Sequence, residues 1–181
     1  MLHRTTAHPP GYPEHLERTQ SLPNGETITV RPILPSDAAH IRTALQTADS
    51  DTLYRRFFTS RPKISDDTIA YLAEVDYRRR LALVAFASDG PIALARYEAE
   101  TDPLEAEIAF VVSPDWRGLG IAQFLGQMLL DEAEANGMHR MIAYYLSTND
   151  GAAGLLTRLG FVPDENEHGV TTAHRSLTGA E

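Results

Sequence analysis

Residues 105–122 read EAEIAFVVSPDWRGLGIA, and the fold is decided there. From Glu107 to Val112 the residues alternate, with β-branched or aromatic side chains where a half-buried strand needs them. Pro114 ends that strand. The turn Arg117-Gly118-Leu119-Gly120-Ile121-Ala122 follows, and apolar residues then recur at helical spacing at Ala122, Leu125, Leu129 and Ala133. Glycines in such a turn let backbone N–H groups approach a phosphate with no Cβ in the way. The helix start adds a partial positive charge, so an anionic ligand is the natural occupant.

Two glycines one residue apart also occur in plain tight turns, and the spacing alone leaves that reading open. It does exclude the dinucleotide fingerprint, which needs three glycines and an acidic residue about 20 positions on. Here Gly118-Leu119-Gly120 runs into Ile121-Ala122-Gln123. A nucleotide-triphosphate loop is excluded too, since no Gly-Lys-Ser or Gly-Lys-Thr occurs.

The 181 residues, 43% of them apolar, fit one domain with a core able to stand alone. With no cysteine there is no disulfide, no thiolate metal site and no thiol nucleophile, so any group transfer is direct or uses oxygen or nitrogen. No metal site is expected. No signal-peptide h-region opens the chain and no run approaches the about 18 apolar residues of a membrane span, which predicts a cytoplasmic protein without a membrane partner. A net charge of −9 argues against nucleic acid and favours cationic substrates. Glu98, Glu100, Asp102, Glu105 and Glu107 concentrate that charge; they read either as a solvated hairpin tip or as an acidic mouth for amines.

Residues 1–22 are polar and rich in His and Pro without periodicity, which predicts a flexible leader before a single domain over 23–181. Asn24-Gly25 marks a turn into a strand at 27–31. A helix starts at Pro35-Ser36-Asp37, with Ser36 or Asp37 as N-cap and Ala38, Ile41, Ala44 and Leu45 on one side. Further helices are predicted over 51–58 and from Ser65-Asp66-Asp67 to Leu72. Strands at 81–87, 92–98 and 107–112 form an antiparallel meander. A helix over about 120–136 stops at Gly137, and a strand at 140–146, a helix at 152–159 and a strand at about 170–177 complete the chain.

This is an α/β (α+β) layout: a mixed, mostly antiparallel sheet with flanking helices and a central parallel pair. The pair comes from one βαβ unit, which makes the strands at 107–112 and 140–146 parallel neighbours and puts a ligand at their C-terminal ends.

Glu107, Ala109 and Val111 share a strand face. Were that face partly buried, desolvation would raise the Glu107 pKa and fit it to take a proton from an ammonium near neutral pH. A solvated carboxylate in a charged cluster is the competing reading. Arg117 could pair with phosphate oxygens or cap its loop with Asp115. Asn149 reads as a helix N-cap, as a clamp on an amide-bearing ligand, or as both. Tyr144 and Tyr145 alternate, so at most one should reach a cleft.

Residues 106–122 resemble the GNAT superfamily of N-acetyltransferases, whose Q/R-x-x-G-x-G/A motif is matched by Arg117, Gly120 and Ala122. A second family block, N-x-x-A-x-x-L-Y-x-x-x-G-F, is matched at Asn149, Ala152, Leu155, Gly160 and Phe161. The resemblance extends over about 26–177. The stretches LYRRFF at 53–58 and VDYRRRLALVAF at 75–86 look like the bacterial protein-lysine acetyltransferase branch, which often carries a partner domain for which this chain has no room.

The resemblance implies acetyl-CoA as co-substrate, held by the backbone of Val111 and Val112, by N–H groups of Arg117, Gly118, Leu119, Gly120, Ile121 and Ala122, and by Asn149. It implies Glu107 as general base and a primary amine, a protein lysine before a small metabolite, as acceptor. A homodimer is also compatible with it. Leu156 stands where many relatives have the tyrosine that protonates the departing thiolate. A thiol of pKa about 8.5 can leave without an acid, and Ser147, Tyr145 or water could also contribute a proton. A non-catalytic acyl-CoA-binding module is the rival reading, favoured by Leu156 and disfavoured by Glu107.

Overall fold

The computed structural model describes residues 8–47, 64–99 and 101–177. Eight strands form one sheet in the order β1-β2-β3-β4-β5-β6-β8-β7. They are β1 (Arg18–Ser21), β2 (Thr27–Pro32), β3 (Arg80–Ala87), β4 (Gly90–Glu98), β5 (Glu105–Val112), β6 (Arg140–Leu146), β7 (Val162–Glu167) and β8 (Val170–Ser176). Among the described residues the α-helices are α1 (Ala38–Thr47), α2 (Asp66–Ala73), α3 (Ile121–Ala135) and α4 (Asp150–Arg158). Every strand pairing is antiparallel except β5 with β6. The expected mixed sheet with its single parallel pair is therefore the observed one.

The main core lies between the sheet and α3, where Leu125, Leu129, Leu130 and Ala133 meet Leu83, Tyr97, Ile108 and Met141. These positions follow the helical repeat on α3 and the two-residue repeat on the strands, so each element turns one face inward. A smaller cluster of Ile33, Ala82 and Val84 fills the opposite face, beneath Ile41 of α1. No helix among the described residues is long and apolar enough to cross a membrane.

Part of the expected leader belongs to the fold. Residues 18–21 form β1, antiparallel to β2, while Tyr12, Leu16 and Leu22 are buried in the main core. Burying three large side chains repays the ordering of this short polar segment. His15 further ties it to α3 through Glu132, with Nε2 and Oε2 2.8 Å apart. β7 is the other strand that the sequence does not announce. All six of its residues are exposed, as an edge strand allows, and His168 and Gly169, both at positive φ, turn it tightly into β8.

Caps divide into expected and unexpected. Ser65 caps α2, its side chain accepting from the Thr68 N–H. At α1 neither Ser36 nor Asp37 plays the predicted part. A 3-10 turn, Pro35–Asp37, precedes the helix, and the buried Asp37 carboxylate accepts from the Leu34 N–H at 2.8 Å and from both Nη atoms of Arg31 at 2.7 Å. Burial alone would push the Asp37 carboxyl up, but the hydrogen bonds from Arg31 and Leu34 outweigh it and hold the group below its usual range. The helix expected over 51–58 lies outside the described residues.

Candidate active site

β5 and β6 start together and then separate. Their register runs through Glu105↔Arg140, Ala106↔Met141 and Glu107↔Ile142 and stops there. Beyond that point β5 continues to Val112 bonded only to β4, and β6 continues to Leu146 bonded only to β8. A cleft of about 610 Å³ opens between them. Ile108 to Val112 form one wall, Ala143, Tyr144 and Tyr145 the other, and the glycine turn and the start of α4 close its end. A ligand at the C-terminal ends of the parallel pair would enter this gap.

The turn has the geometry its sequence suggests. Gly118 and Gly120 sit at φ +77° and +81°, a region costly for any residue with a Cβ. Both border the cleft, and a Cβ on either would face open space. Gly120 is the N-cap of α3 and offers no side chain, so the first N–H groups of the helix have no side-chain cap. Such donors, with the positive end of a fifteen-residue helix behind them, suit a diphosphate. The Arg117 Nε donates to the Val112 carbonyl oxygen at 3.2 Å, which anchors the guanidinium at the same rim.

Of the ten residues named from sequence, nine border this cleft: Glu107, Val111, Val112, Arg117, Gly118, Gly120, Ile121, Ala122 and Asn149. Leu119 does not; its half-buried side chain packs against the main core instead. Asn149 caps α4, its Oδ1 accepting from the Ala152 N–H at 3.2 Å. Leu156 is buried and borders the cleft, so the position where the resemblance implies a tyrosine presents only hydrocarbon here.

Two expectations are corrected by the surroundings. Glu107 is exposed, while Ala109 and Val111 on the same face are half-buried, so the desolvation expected for its carboxylate is not found. It stands at the last β5–β6 pair before the splay. Tyr144 and Tyr145 both border the cleft, although alternation allowed only one. A splayed strand exposes its edge as well as one face, which makes room for both. The acidic run is also less open than its composition implies. Glu98 pairs with Arg80 at 3.5 Å and Arg96 at 3.1 Å, Glu105 pairs with Arg140 at 3.5 Å, and Asp102 accepts from the Leu104 N–H. Glu100 lies outside the described residues.

A family model described as an acetyltransferase (GNAT) domain matches residues 27–162, which take in both strands of the splay, the glycine turn and α4. The chain belongs to the GNAT acetyltransferase family. As a GNAT domain it is 36% identical over 149 residues to Acetyltransferase Pat of Mycolicibacterium smegmatis, covering 81% of this chain and 44% of that protein. The chain thus spans less than half the length of that relative. The GNAT domain of S. lividans PAT superposes with a TM-score of 0.83 at 28% identity, covering 91% of this chain and 99% of that one. The same fold, at 21% identity and a TM-score of 0.68, is found in yncA of Salmonella typhimurium, solved with its cofactor acetyl-CoA; 84% of this chain and 95% of that one are covered.

Sequence reasoning missed Gln123 and Arg158, which border the cleft and hydrogen-bond to each other. The partners are 35 positions apart, and no local pattern links them.

Proposed function

We propose that this GNAT domain transfers the acetyl group of acetyl-CoA to a primary amine, with Glu107 as general base and a protein lysine side chain as the acceptor. The observation that carries the reading is the joining of two features in one cleft. The glycine turn at the head of α3 suits a diphosphate, and the gap between β5 and β6 leads from it to Glu107. Acetyl-CoA has that shape: a diphosphate at one end, a narrow arm, and an acyl carbon at the other end.

Backbone N–H groups of Arg117 to Ala122 hold the diphosphate, and the edge of β5 at Val111 and Val112 pairs with the amide-bearing arm. Asn149 borders the same channel. In the reaction the amine lone pair attacks the thioester carbonyl carbon, a C–N bond forms, and the C–S bond breaks with its electron pair on sulfur. Glu107 takes the ammonium proton, directly or through one water, so that the lone pair becomes available. Main-chain donors at Val111 and Val112 stabilise the developing oxyanion. Leu156 offers no proton, and a thiol of this pKa can leave as thiolate without one. The lysine acceptor is supported by the likeness of residues 75–86 to the protein-lysine branch and by the similarity to Pat proteins.

The test compares the protein with its Glu107→Gln variant, following free thiol release with acetyl-CoA and lysine peptides. The expected result is unchanged acetyl-CoA affinity with turnover reduced by about 10²-fold or more. Equal turnover by both proteins would remove Glu107 from the mechanism. Binding without turnover on any amine would identify an acyl-CoA-binding module instead.

A further inference from the structure

The cleft presents two arginines on different elements. Arg117 belongs to the turn before α3, and Arg158 is the last residue of α4. With Glu107, which lies at the far end, they are the charged side chains bordering the cleft among the described residues. A basic residue in the last turn of a helix commonly leans on that helix's own final carbonyls. Arg158 does not have its Nε there: it donates to Oε1 of Gln123, in the first turn of α3, at 3.2 Å. The guanidinium also lies close over Gly154, where a Cβ would stand 3.3 Å from Nη1. Gln123 and Gly154 together bring a cation from α4 to the head of α3, beside the donors assigned to the diphosphate.

Charge counting then matters. The diphosphate is matched by the main-chain donors of the turn, the end of α3 and Arg117. Coenzyme A carries a third phosphate, on the ribose. Arg158 is exposed and stands beside the turn, in a protein whose net charge of −9 would otherwise repel that group.

We infer that Arg158 is a specificity-determining residue of the cofactor site, which receives the ribose phosphate and sets coenzyme A apart from its 3′-dephospho form. The inference rests on the acetyl-CoA reading above.

Calorimetric titration of the protein with CoA and with 3′-dephospho-CoA tests it, using the wild type, Arg158→Gln and Arg158→Lys. Wild type should prefer CoA by about tenfold, the scale of one exposed charge-assisted hydrogen bond, and the preference should shrink as salt is raised. Arg158→Gln should bind the two forms equally, with affinity for the dephospho form unchanged, while Arg158→Lys should keep part of the preference. Equal affinity of the wild type for both forms would overturn the inference and leave the acetyl-CoA reading intact. Loss of affinity for both forms by the same factor in Arg158→Gln would overturn it as well, by assigning the residue to the diphosphate. Failure of the wild type to bind either coenzyme would bring down the acetyl-CoA reading itself.

Discussion

Gly126 of α3 lies against Leu159, just past the end of α4: a Cβ on Gly126 would stand 2.6 Å from Leu159 Cδ1 and 3.1 Å from Phe110 Cε1. Leu159 is buried and cannot step aside freely, whereas Phe110 belongs to the cleft wall and can shift only into the cleft. Gly126→Ala should therefore destabilise the protein by about 1–3 kcal/mol despite alanine's better helix propensity. Urea unfolding measures that loss. Weaker acetyl-CoA binding should accompany it, through displacement of Phe110.

A second prediction concerns the turn before α3. Gly120 at φ +81° has open space where a side chain would point, so alanine there meets strain without a clash. Gly120→Ala should cost about 1–2 kcal/mol of stability. If the turn relaxes to relieve that strain, its N–H groups lose their aim, and acetyl-CoA affinity should fall by about tenfold or more. Calorimetric titration alongside thermal unfolding reads both effects.

The ion pair beneath α1 can be tested by breaking it from one side. Asp37 is 3% exposed, and both its oxygens bond to Arg31, which also lies over the Phe86 ring at 4.6 Å. Asp37→Ala leaves a half-buried guanidinium without its carboxylate and frees the Leu34 N–H. A loss of about 3 kcal/mol in denaturant unfolding is expected.

Asp76 makes a related prediction in pH. One of its oxygens accepts the N–H groups of Arg78, Arg79 and Arg80 at 2.8–2.9 Å. Burial raises this carboxyl, but those three bonds and the Arg80 charge more than reverse it, so the folded pKa lies below the usual value. A lowered folded pKa means that the contribution to stability is complete above the unfolded pKa of about 3.9 and is lost as pH falls through the folded value. Unfolding midpoints measured from pH 6 down to pH 3 should drop more steeply for the wild type than for Asp76→Asn. Parallel curves would show that the carboxylate contributes nothing through its charge.

How much of this was legible beforehand depended on range. The strand, turn and helix around Gly118 and Gly120 carry their signals within a few residues of one another, and they form as read. The parallel pairing of β5 with β6 followed from the single βαβ unit that joins them. β1 and β7 were not legible, because strands at a sheet edge need no apolar alternation: RTQS and VPDENE look like loop. Leu119 was named for its N–H group alone, and its side chain packs against the main core. The exposure of Glu107 depends on where two strands part company, which no single strand encodes. The Arg158–Gln123 contact joins two helices and likewise exists only in three dimensions.

The parting of β5 and β6 has a mechanical consequence. Three residue pairs are the whole strand register between a five-stranded plate, β1 to β5, and a three-stranded one, β6 to β8, and α3 packs across both through the main core. A coenzyme arm lying in the gap would act as a keystone. Amide exchange along residues 108–112 and 143–146 should then slow markedly on saturation, and the whole domain should gain about 2.7 kcal/mol at a ligand concentration one hundred times the dissociation constant. Exchange in the unliganded protein should accordingly be fastest along this seam.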